Sequence, residues 1–238
     1  MKVVISQPMY FPWVGLLEQM RISDHFVHYD DVQLARGFYN RVQVKTENGS
    51  RWMTIPLRDT HRGQLLNEIE ASEHEDWREK HRRLLKQAYT GAPFIDDMLG
   101  VVDRVFSQAL PNLAAISRAS TMAIANYFEL TGSRNFVDSS MLHVSGKSSQ
   151  RLFDICRRLQ ATTYITGHGA KNYLDHELFE RDGIAVEYMD YLRLPYPQLH
   201  GTFTPYVSGL DLIANCGHDG LKYISSGTSH WRKFINEP

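Results

Sequence analysis

The chain has 238 residues, of which 26 are basic and 27 acidic, and this near balance excludes the strongly basic surface of a dedicated nucleic-acid-binding protein. With 42% hydrophobic and 22% charged residues, the composition is that of a folded globular protein and not of a disordered one. Two cysteines are too few for a disulfide framework, and no stretch reaches the roughly 18 apolar residues of a membrane span, so we expect a cytoplasmic protein.

The N-terminal segment is predicted to form a strand, a loop, a helix and a second strand. The apolar run 2–6 predicts a buried strand, and two prolines and a glycine keep the aromatic segment 7–15 out of regular structure. Strong helix formers over 16–22 predict a short helix, and β-branched and aromatic residues over 25–29 predict the next strand. This alternation is typical of an α/β fold with a parallel sheet.

The segment that follows combines a strand pair with a helical region. Two strands are predicted at 40–45 and 52–57, with an asparagine-glycine turn signal between them. Apolar residues then recur at helical spacing, which predicts helices at 73–89, 95–110 and 111–130.

The last third of the chain returns to alternating strands and helices. The predicted strands are 136–137, 162–166 and 184–188, and the predicted helices are 148–159, 173–181 and 210–215. We therefore expect a single domain over 1–238 with a Rossmann-like, three-layer α/β core. In this interpretation 1–60 and 133–238 supply a common parallel sheet, and a helical insertion at about 73–131 packs on it.

The aromatic segment 7–15 is the first candidate ligand site. It leaves a strand and enters a helix, where backbone N–H groups bind anions and phosphates. It has neither the three glycines of a dinucleotide-binding loop nor the lysine of a phosphate-binding loop. The alternative is an aromatic plug over the edge of the sheet.

A polar group at the end of the second predicted strand is the next candidate. His28 and Asp30 are two residues apart and therefore share a face of the strand, and the same holds for Asp31 and Gln33. A His–Asp pair can orient a general base or begin a metal site, whereas the plain alternative is a solvated strand end. No third ligand stands at a suggestive spacing, so we predict polar contact with a substrate and no metal.

The segment 167–173 also follows a predicted strand and opens a helix. Its two glycines permit close approach of the backbone to a ligand, and Lys171 can meet a phosphate or a carboxylate. The alternative is a plain connection with a flexible lysine.

Other conspicuous residues have simpler interpretations. Cys156 lies on an apolar helix face and is predicted to be core, and no histidine partner is evident for Cys216. Ser208, three residues before Asp211, is predicted to cap a helix. The basic run 78–86 is most simply a solvated helix face, with contact to an acidic carrier protein or a nucleotide sugar as the alternative.

Several groups of residues occur in order along the whole chain and carry a family resemblance. They are Gln7 to Gly15, Asp30 to Gln33, Asn40-Arg41, Trp52 with Pro56, Ser139-Ser140, Gly167 to Asp175, Tyr196 with Gln198, Phe203 with Pro205, and Ser208 with Asp211 through Asn215 to Gly217. Together they resemble the WbqC-like family. Members of this family tend to be encoded with surface-polysaccharide and other secondary biosynthesis functions, so the resemblance implies a biosynthetic setting.

The segment 9–16 also has the spacing of a loop that binds ATP phosphates through two histidines. Trp13 and Leu16 stand at the histidine positions and Gly15 is kept, while Gln33 stands where a glutamine would meet a carboxylic acid. This pattern is similar to pantothenate synthetase and to other nucleotidyltransferase-like α/β folds.

Two later segments resemble the same superfamily. The stretch 167–173 is similar to its glycine-lysine-acid-aromatic segment, and Ser225, Thr228 and Arg232 are similar to its phosphate-binding motif. The resemblance implies a nucleotidyltransferase-like scaffold, and the absence of both histidines implies a changed chemistry.

The leading hypothesis is an enzyme that moves an acyl or aminoacyl group onto an amino sugar or similar amine, forming an amide or ester bond. His28 with Asp30 or Asp31 would be the general base, since an ammonium cannot attack a carbonyl. The predicted substrate-binding residues are Gln7, Tyr10, Trp13, Gln33, Arg41, Gly167, Lys171, Tyr173 and Gln198. The activated donor would be an acyl thioester, for which an acyl carrier protein is one source, or ATP with a free acid; no resident cofactor is assigned.

Two alternatives remain open. One is a degenerate nucleotidyltransferase or ATP-dependent ligase that uses Ser225, Thr228 and Arg232 in place of the histidines. The other is a non-catalytic protein whose aromatic loop is a platform for a sugar or a peptide.

Overall fold

The structure is a computed structural model that describes residues 1–34 and 39–236. The strands are β1 (Lys2–Ser6), β2 (His25–His28), β3 (Arg41–Thr46), β4 (Gly49–Thr54), β5 (Asn135–Asp138), β6 (Thr163–Thr166), β7 (Ala185–Tyr191) and β8 (Ser226–His230). The α-helices are α1 (Val14–Ile22), α2 (Trp77–Ala88), α3 (Ile95–Phe106), α4 (Leu113–Tyr127), α5 (Ser148–Arg158), α6 (His176–Glu180), α7 (Gly209–Cys216) and α8 (Trp231–Asn236). Short 3₁₀ helices lie at Leu66–Glu68, Ser139–Leu142, His168–Asn172 and Gly217–Tyr223.

Six strands form the central sheet, in the order β5-β2-β1-β6-β7-β8. The first five run parallel to their neighbours, and β8 runs antiparallel to β7 at the edge. One apolar cluster with residues of α1, α3, α4 and α7 and another with residues of α5 and α6 pack against strand residues. The predicted α/β fold with a mostly parallel sheet between layers of helices is confirmed.

The position of β1 at the centre of the sheet follows from its sequence. Val3 and Ile5 belong to the cluster with α5 and α6, and Val4 belongs to the other cluster. Because successive side chains of a strand point to opposite faces, a strand covered on both faces is a continuous apolar run. The run at 2–6 therefore encodes a strand that is buried on both sides.

The hairpin of β3 and β4 forms a separate two-stranded antiparallel sheet. Gly49, at φ 92°, provides the left-handed conformation that its turn needs. Of the segment 1–60, which is predicted to share a sheet with 133–238, β1 and β2 lie in the central sheet and the hairpin lies outside it. The tight turn pairs β3 with β4, and tertiary packing places this hairpin outside the central sheet.

Helices α2, α3 and α4 occupy the region in which the sequence predicts a helical middle. Helix α3 packs on α4 and on α7, so this region contacts the C-terminal part of the chain. The side chain of Asp76 caps α2 by accepting a hydrogen bond from the backbone N–H of Glu79 at 3.0 Å. None of the helices in the described ranges is long and apolar enough to cross a membrane.

Strand β8 and helix α8 have no counterpart among the predicted elements. The sequence of β8 contains only serine, glycine, threonine and histidine, so it shows no apolar alternation. The strand forms through its pairing with β7. In α8, the Trp231 ring then stacks on His176 at 4.5 Å between centroids, and the Phe234 ring stacks on Tyr188 at 4.2 Å.

Candidate functional site

A cavity of about 850 Å³ opens at the carboxyl ends of the parallel strands. Its wall includes Gln7 after β1, Tyr29 after β2, Gly167 after β6 and Tyr191 at the end of β7. The strand order reverses between β1 and β6, and open α/β sheets bind their ligands at such a switch point. The cavity has the size of a site for a small molecule or a pair of them.

The wall of this cavity is largely aromatic. Its aromatic residues are Trp13, Tyr29, Tyr39, Tyr164, Tyr173, Tyr191 and Tyr206. The polar side chains on the wall are those of Ser6, Gln7, Gln19, Thr166, His168 and Arg193. No aspartate or glutamate lines it in the described part of the chain. Such a wall suits a ligand with flat faces and a few polar groups.

The aromatic segment 7–15 is held in place by hydroxyl groups of neighbouring helices. The backbone N–H of Phe11 donates to Ser120 Oγ at 2.8 Å, and Ser208 Oγ donates to the Phe11 carbonyl at 2.8 Å. These bonds hold Phe11 at φ 39°, a left-handed conformation that is uncommon for a bulky residue. As a result the Phe11 ring enters the core, while Trp13 faces the cavity.

The Trp13 ring lies directly over Gly15. A Cβ atom at position 15 would come within 2.2 Å of this ring, so the ring would have to move. We expect Gly15→Ala to lower the stability by about 1–3 kcal/mol, because the displaced ring overpacks its surroundings. The measurements are Tm and tryptophan fluorescence, which should shift to the red as Trp13 becomes exposed.

Gly132→Ala is the matched control for this prediction, because nothing lies within 4 Å of the Cβ position there. If Gly15→Ala matched the wild type in both Tm and emission maximum, the ring would not be fixed over Gly15.

His168 lines the cavity in a defined tautomer. Its Nε2 lies 2.7 Å from the carbonyl oxygen of Met189, and since a carbonyl only accepts, Nε2 must carry the proton. In the neutral ring Nδ1 is then an acceptor, and no hydrogen-bond partner for it occurs among the described residues. The ring also packs against Tyr191 at 5.2 Å and Phe234 at 4.8 Å between centroids. A histidine held in this way can take a proton from a ligand.

Tyr191 stands beside His168 on the same wall. Its hydroxyl oxygen accepts a hydrogen bond from Gln19 Nε2 at 2.6 Å, which leaves its own O–H free to donate. Burial raises the pKa of Tyr191 to about 12, so the hydroxyl stays protonated near neutral pH. A Cβ atom at Gly167 would lie 3.2 Å from this oxygen, so the glycine keeps the approach open.

Gln7 contributes an acceptor that lacks a donor. Its side-chain oxygen is buried and has no hydrogen-bond partner among the described residues. A buried polar atom without a partner is costly, so a ligand or water that donates to it would be favoured. Gln7 therefore belongs with the polar groups that would orient a ligand.

Behind the wall, Glu18 is a buried carboxyl group. It accepts a hydrogen bond from Ser226 Oγ at 2.5 Å. Burial raises its pKa to about 7, against the opposing effects of the Ser226 hydrogen bond and the charge of Arg193. Near neutral pH this carboxyl group is therefore close to its pKa and carries only part of a negative charge.

Four of the predicted site residues line the cavity, and these are Gln7, Trp13, Gly167 and Tyr173. The other eight lie elsewhere in the described structure: His28, Asp30, Asp31, Tyr10, Gln33, Arg41, Lys171 and Gln198. The roles assigned to all twelve stay predictions, but only the first four are brought together.

His28 is enclosed in the core of the sheet. Its ring lies 5.1 Å from Phe26 and 6.2 Å from Phe136 between centroids, and neither ring nitrogen has a hydrogen-bond partner among the described residues. Burial, together with the nearby charge of Arg118, lowers its pKa to about 3. The predicted pairing with Asp30 is not observed, because β2 ends at His28 and the period-two rule stops there.

Asp30 and Asp31 join the end of β2 to the turn after β5. Asp30 accepts hydrogen bonds from the Ser140 hydroxyl at 2.7 Å and the Ser140 backbone N–H at 3.0 Å. Asp31 forms an ion pair with Arg151 at 2.5 Å, in which the two side chains are 20% and 8% exposed. Asp30 thus holds the end of β2 against the turn after β5, and Asp31 connects it to α5.

The remaining predicted residues have other surroundings. Tyr10 is fully buried, and its hydroxyl is 2.9 Å from His81 Nδ1. The Arg41 guanidinium lies over the Trp52 ring at 4.4 Å, and Gln33 bridges to Leu65 in a loop.

Lys171 and Gln198 do not line the cavity. The Lys171 ammonium lies 5.4 Å from the Phe234 ring centroid. Gln198 accepts a hydrogen bond from the buried Lys45 at 3.0 Å. Lys45 also donates to the carbonyl of Thr202 at 2.7 Å, so Gln198 is part of the anchor of this loop.

The groups assigned to the nucleotidyltransferase alternative are engaged with acidic side chains. Thr228 Oγ1 donates to Glu187 at 2.5 Å, and Arg232 pairs with Glu180 at 2.6 Å. Neither residue lines the cavity.

The basic run of α2 is partly neutralised by its neighbours. Arg78 pairs with Glu73 at 2.8 Å, Lys80 pairs with Glu75, and Arg82 pairs with Asp103 at 2.8 Å. This pattern matches the solvated helix face that the sequence favours.

The two cysteines are buried and free. Burial raises the pKa of the Cys216 thiol to about 11, and that of Cys156 still further from its ordinary value, so both stay protonated near neutral pH. The described residues contain no group of three or more His, Cys, Asp or Glu side chains placed to hold a metal ion.

Several wall residues were outside the predicted set, namely Gln19, Tyr29, Tyr39, His168, Tyr191, Arg193 and Tyr206. His168 had a usable signal, since it sits between two glycines directly after a predicted strand. Tyr191 and Arg193 follow the strand 184–188, whose carboxyl end lies at the same edge of the sheet.

The chain is similar to known proteins over a range that includes most of the cavity wall. The model of the WbqC-like protein family matches residues 7–223. The uncharacterized protein Rv1507c of Mycobacterium tuberculosis is 30% identical over 228 residues, which cover 94% of this chain and 97% of that protein. No solved structure matches the chain.

Proposed function

The chain belongs to the WbqC-like protein family, and we propose that it is an acyl- or aminoacyl-transferring enzyme that forms an amide or ester bond on an amino sugar or similar amine. The proposed setting is surface-glycan or secondary-metabolite biosynthesis in the cytoplasm, as the family resemblance implies. An acyl carrier protein is the proposed source of the thioester.

The observation that carries the proposal is the unpartnered Nδ1 of His168 in the wall of the 850 Å³ cavity. Amide formation requires a neutral amine, and an imidazole is the side chain best suited to take its proton near pH 7. His168 thus takes the role of general base that the sequence suggests for His28. His28 is less suited, because its ring is enclosed away from the cavity.

The proposed step uses two neighbouring groups of the wall. The amine nitrogen attacks the carbonyl carbon of an acyl thioester, and Nδ1 of His168 accepts the proton that the nitrogen loses. The Tyr191 hydroxyl donates to the carbonyl oxygen as negative charge builds on it. When the C–S bond breaks, the imidazolium returns the proton to the departing thiolate, so His168 ends neutral and the C–N bond is complete.

The aromatic wall supports the binding part of the proposal. Trp13 lies 5.6 Å from Tyr206 and 5.1 Å from Tyr191 between ring centroids, which gives a continuous aromatic surface for a sugar ring or a pantetheine arm. The buried oxygen of Gln7 would accept a hydrogen bond from an amide or hydroxyl group of the ligand.

The test is incubation of the protein with acyl or aminoacyl thioesters and amino sugars, followed by mass spectrometry. We expect a condensed product together with an equal amount of free thiol. The control mixture replaces the thioester by the free acid and ATP. Turnover in that control, with none from any thioester, would assign an ATP-dependent ligase in place of the thioester reaction.

A non-catalytic binding protein is the second candidate, and the aromatic wall favours it as well. It predicts saturable binding of an amino sugar and no product from any donor. The nucleotidyltransferase alternative is supported less, because Thr228 and Arg232 are engaged with Glu187 and Glu180.

A further inference from the structure

We propose that the cavity binds a nucleoside diphosphate group, with the phosphates on the Arg193 guanidinium and the base against the neighbouring aromatic rings. This inference rests on the proposed function and names the handle by which one of its substrates is held. It assigns to Arg193 a role in binding and none in the chemical step.

Arg193 is a charged side chain of the wall with unused donors. Within the described part of the chain, no hydrogen bond or ion pair engages its guanidinium, which lies 5.7 Å from the Tyr206 ring centroid. A guanidinium has five N–H donors in a planar fork that matches two phosphate oxygens. The backbone at Arg193 is left-handed, with φ 49°, and strained non-glycine residues of this kind cluster at ligand sites.

The charged residues of the wall indicate which charge the ligand carries. No aspartate or glutamate lines the cavity in the described ranges, so a cationic ligand would find no carboxylate there. Glu18, whose charge interacts with that of Arg193, is buried and bonded to Ser226. The wall therefore favours a ligand with negative charge, to which the guanidinium can donate charge-assisted hydrogen bonds.

The rings beside Arg193 select a planar group next to the anion. Trp13, Tyr191 and Tyr206 form a contiguous aromatic surface that ends at the arginine. A base stacks on such a surface whatever its identity, because every base has a π face. The volume of about 850 Å³ also accommodates a group of this size next to a second reactant.

The topology explains why a side chain would hold the phosphates. The sheet places the cavity at the switch point where related folds bind nucleotides through a glycine-rich loop. The segment 7–15 has two prolines and bulky rings in place of those glycines, so its backbone cannot surround a diphosphate. Arg193, which lines the same cavity, provides the missing donors.

Two substrates of the proposed reaction carry this group. A nucleotide-linked amino sugar would bring it as the acceptor, and a coenzyme A thioester, used in place of the carrier-protein thioester, would bring it as the donor. The experiment is isothermal titration of UDP, ADP and coenzyme A, with uridine as the uncharged reference. It uses the wild type, Arg193→Gln, Arg193→Lys, and Arg158→Gln as a matched exposed arginine outside the cavity.

We expect at least one diphosphate to bind more tightly than uridine, and Arg193→Gln to weaken that binding roughly 10-fold to 100-fold. Arg193→Lys should retain part of the affinity, and Arg158→Gln should retain all of it. Tighter binding of UDP identifies the acceptor as the source of the group, and tighter binding of coenzyme A identifies the donor.

The inference is overturned if no diphosphate binds more tightly than uridine, or if Arg193→Gln binds as the wild type does. Its failure is separable from that of the proposed function. Diphosphate binding that depends on Arg193, without transfer from any donor, would remove the reaction and leave the binding site. Acyl transfer between substrates that lack a diphosphate, at a rate unaffected by Arg193→Gln, would keep the reaction and remove the diphosphate site.

Discussion

Exchange of His168 for glutamine is expected to lower kcat for acyl transfer by about 100-fold to 10,000-fold, with little change in KM. The glutamine amide can still donate to the Met189 carbonyl, so the wall keeps its shape. It has no basic nitrogen, so the proton of the attacking amine has no acceptor in the protein. The measurement is steady-state kinetics with the best thioester and amine.

His200 provides the matched control for this substitution. Its Nε2 lies 2.6 Å from the carbonyl oxygen of Ala88, the same kind of bond that fixes His168, but the residue lies outside the large cavity. We expect His200→Gln to retain the wild-type kcat. A kcat for His168→Gln within threefold of that control would show that the proton leaves the amine by another route.

Exchange of His28 for phenylalanine is expected to reduce strongly the loss of folding stability that the wild type shows at acidic pH. Burial and the charge of Arg118 lower the pKa of His28 from 6.5 to about 3. Between pH 6.5 and about pH 3, His28 is therefore protonated in the unfolded chain and neutral in the folded chain. The free energy of unfolding consequently decreases as the pH is lowered through this range. Between pH 7 and pH 4 this difference costs the wild type about 3 kcal/mol.

The measurement is the free energy of unfolding from urea titrations at several pH values. At pH 7 we expect His28→Phe to change stability by less than about 1 kcal/mol, because the ring remains and the two unpartnered nitrogens are removed. The control is His25→Phe, which makes the same exchange on β2 at a partly exposed ring. If the free energy of unfolding depended on pH equally in the wild type and in His28→Phe, His28 would not be a source of the acid sensitivity.

The architecture could be predicted because its signals are local. The run at 2–6 alone indicates a strand buried on both faces, and most helices show apolar residues at helical spacing. Strand β8 could not be predicted in this way, since its pairing with β7 and not its own composition makes it a strand. The place of the β3–β4 hairpin outside the central sheet depends on tertiary packing that no local pattern encodes.

The sequence predicts the site residues that directly follow a strand. It does not predict the direction in which a side chain at a strand end points. Gln7 and Gly167 directly follow β1 and β6, and the rule for parallel sheets places them at one edge. For His28 the same rule failed, because the last residue of a strand can still point into the core. Nor does the sequence reveal that Asp31 is bound by Arg151, which is distant in the chain.

The central position of β1 has a consequence for synthesis on the ribosome. Its second neighbour, β6, begins about 160 residues later in the chain. At translation rates of about 5–20 residues per second, β1 waits roughly 8–30 s with the backbone groups of one edge unpaired and its apolar faces incompletely covered. During that interval the nascent chain offers a binding site to chaperones and to other nascent chains, and slow codons before β6 would prolong the exposure.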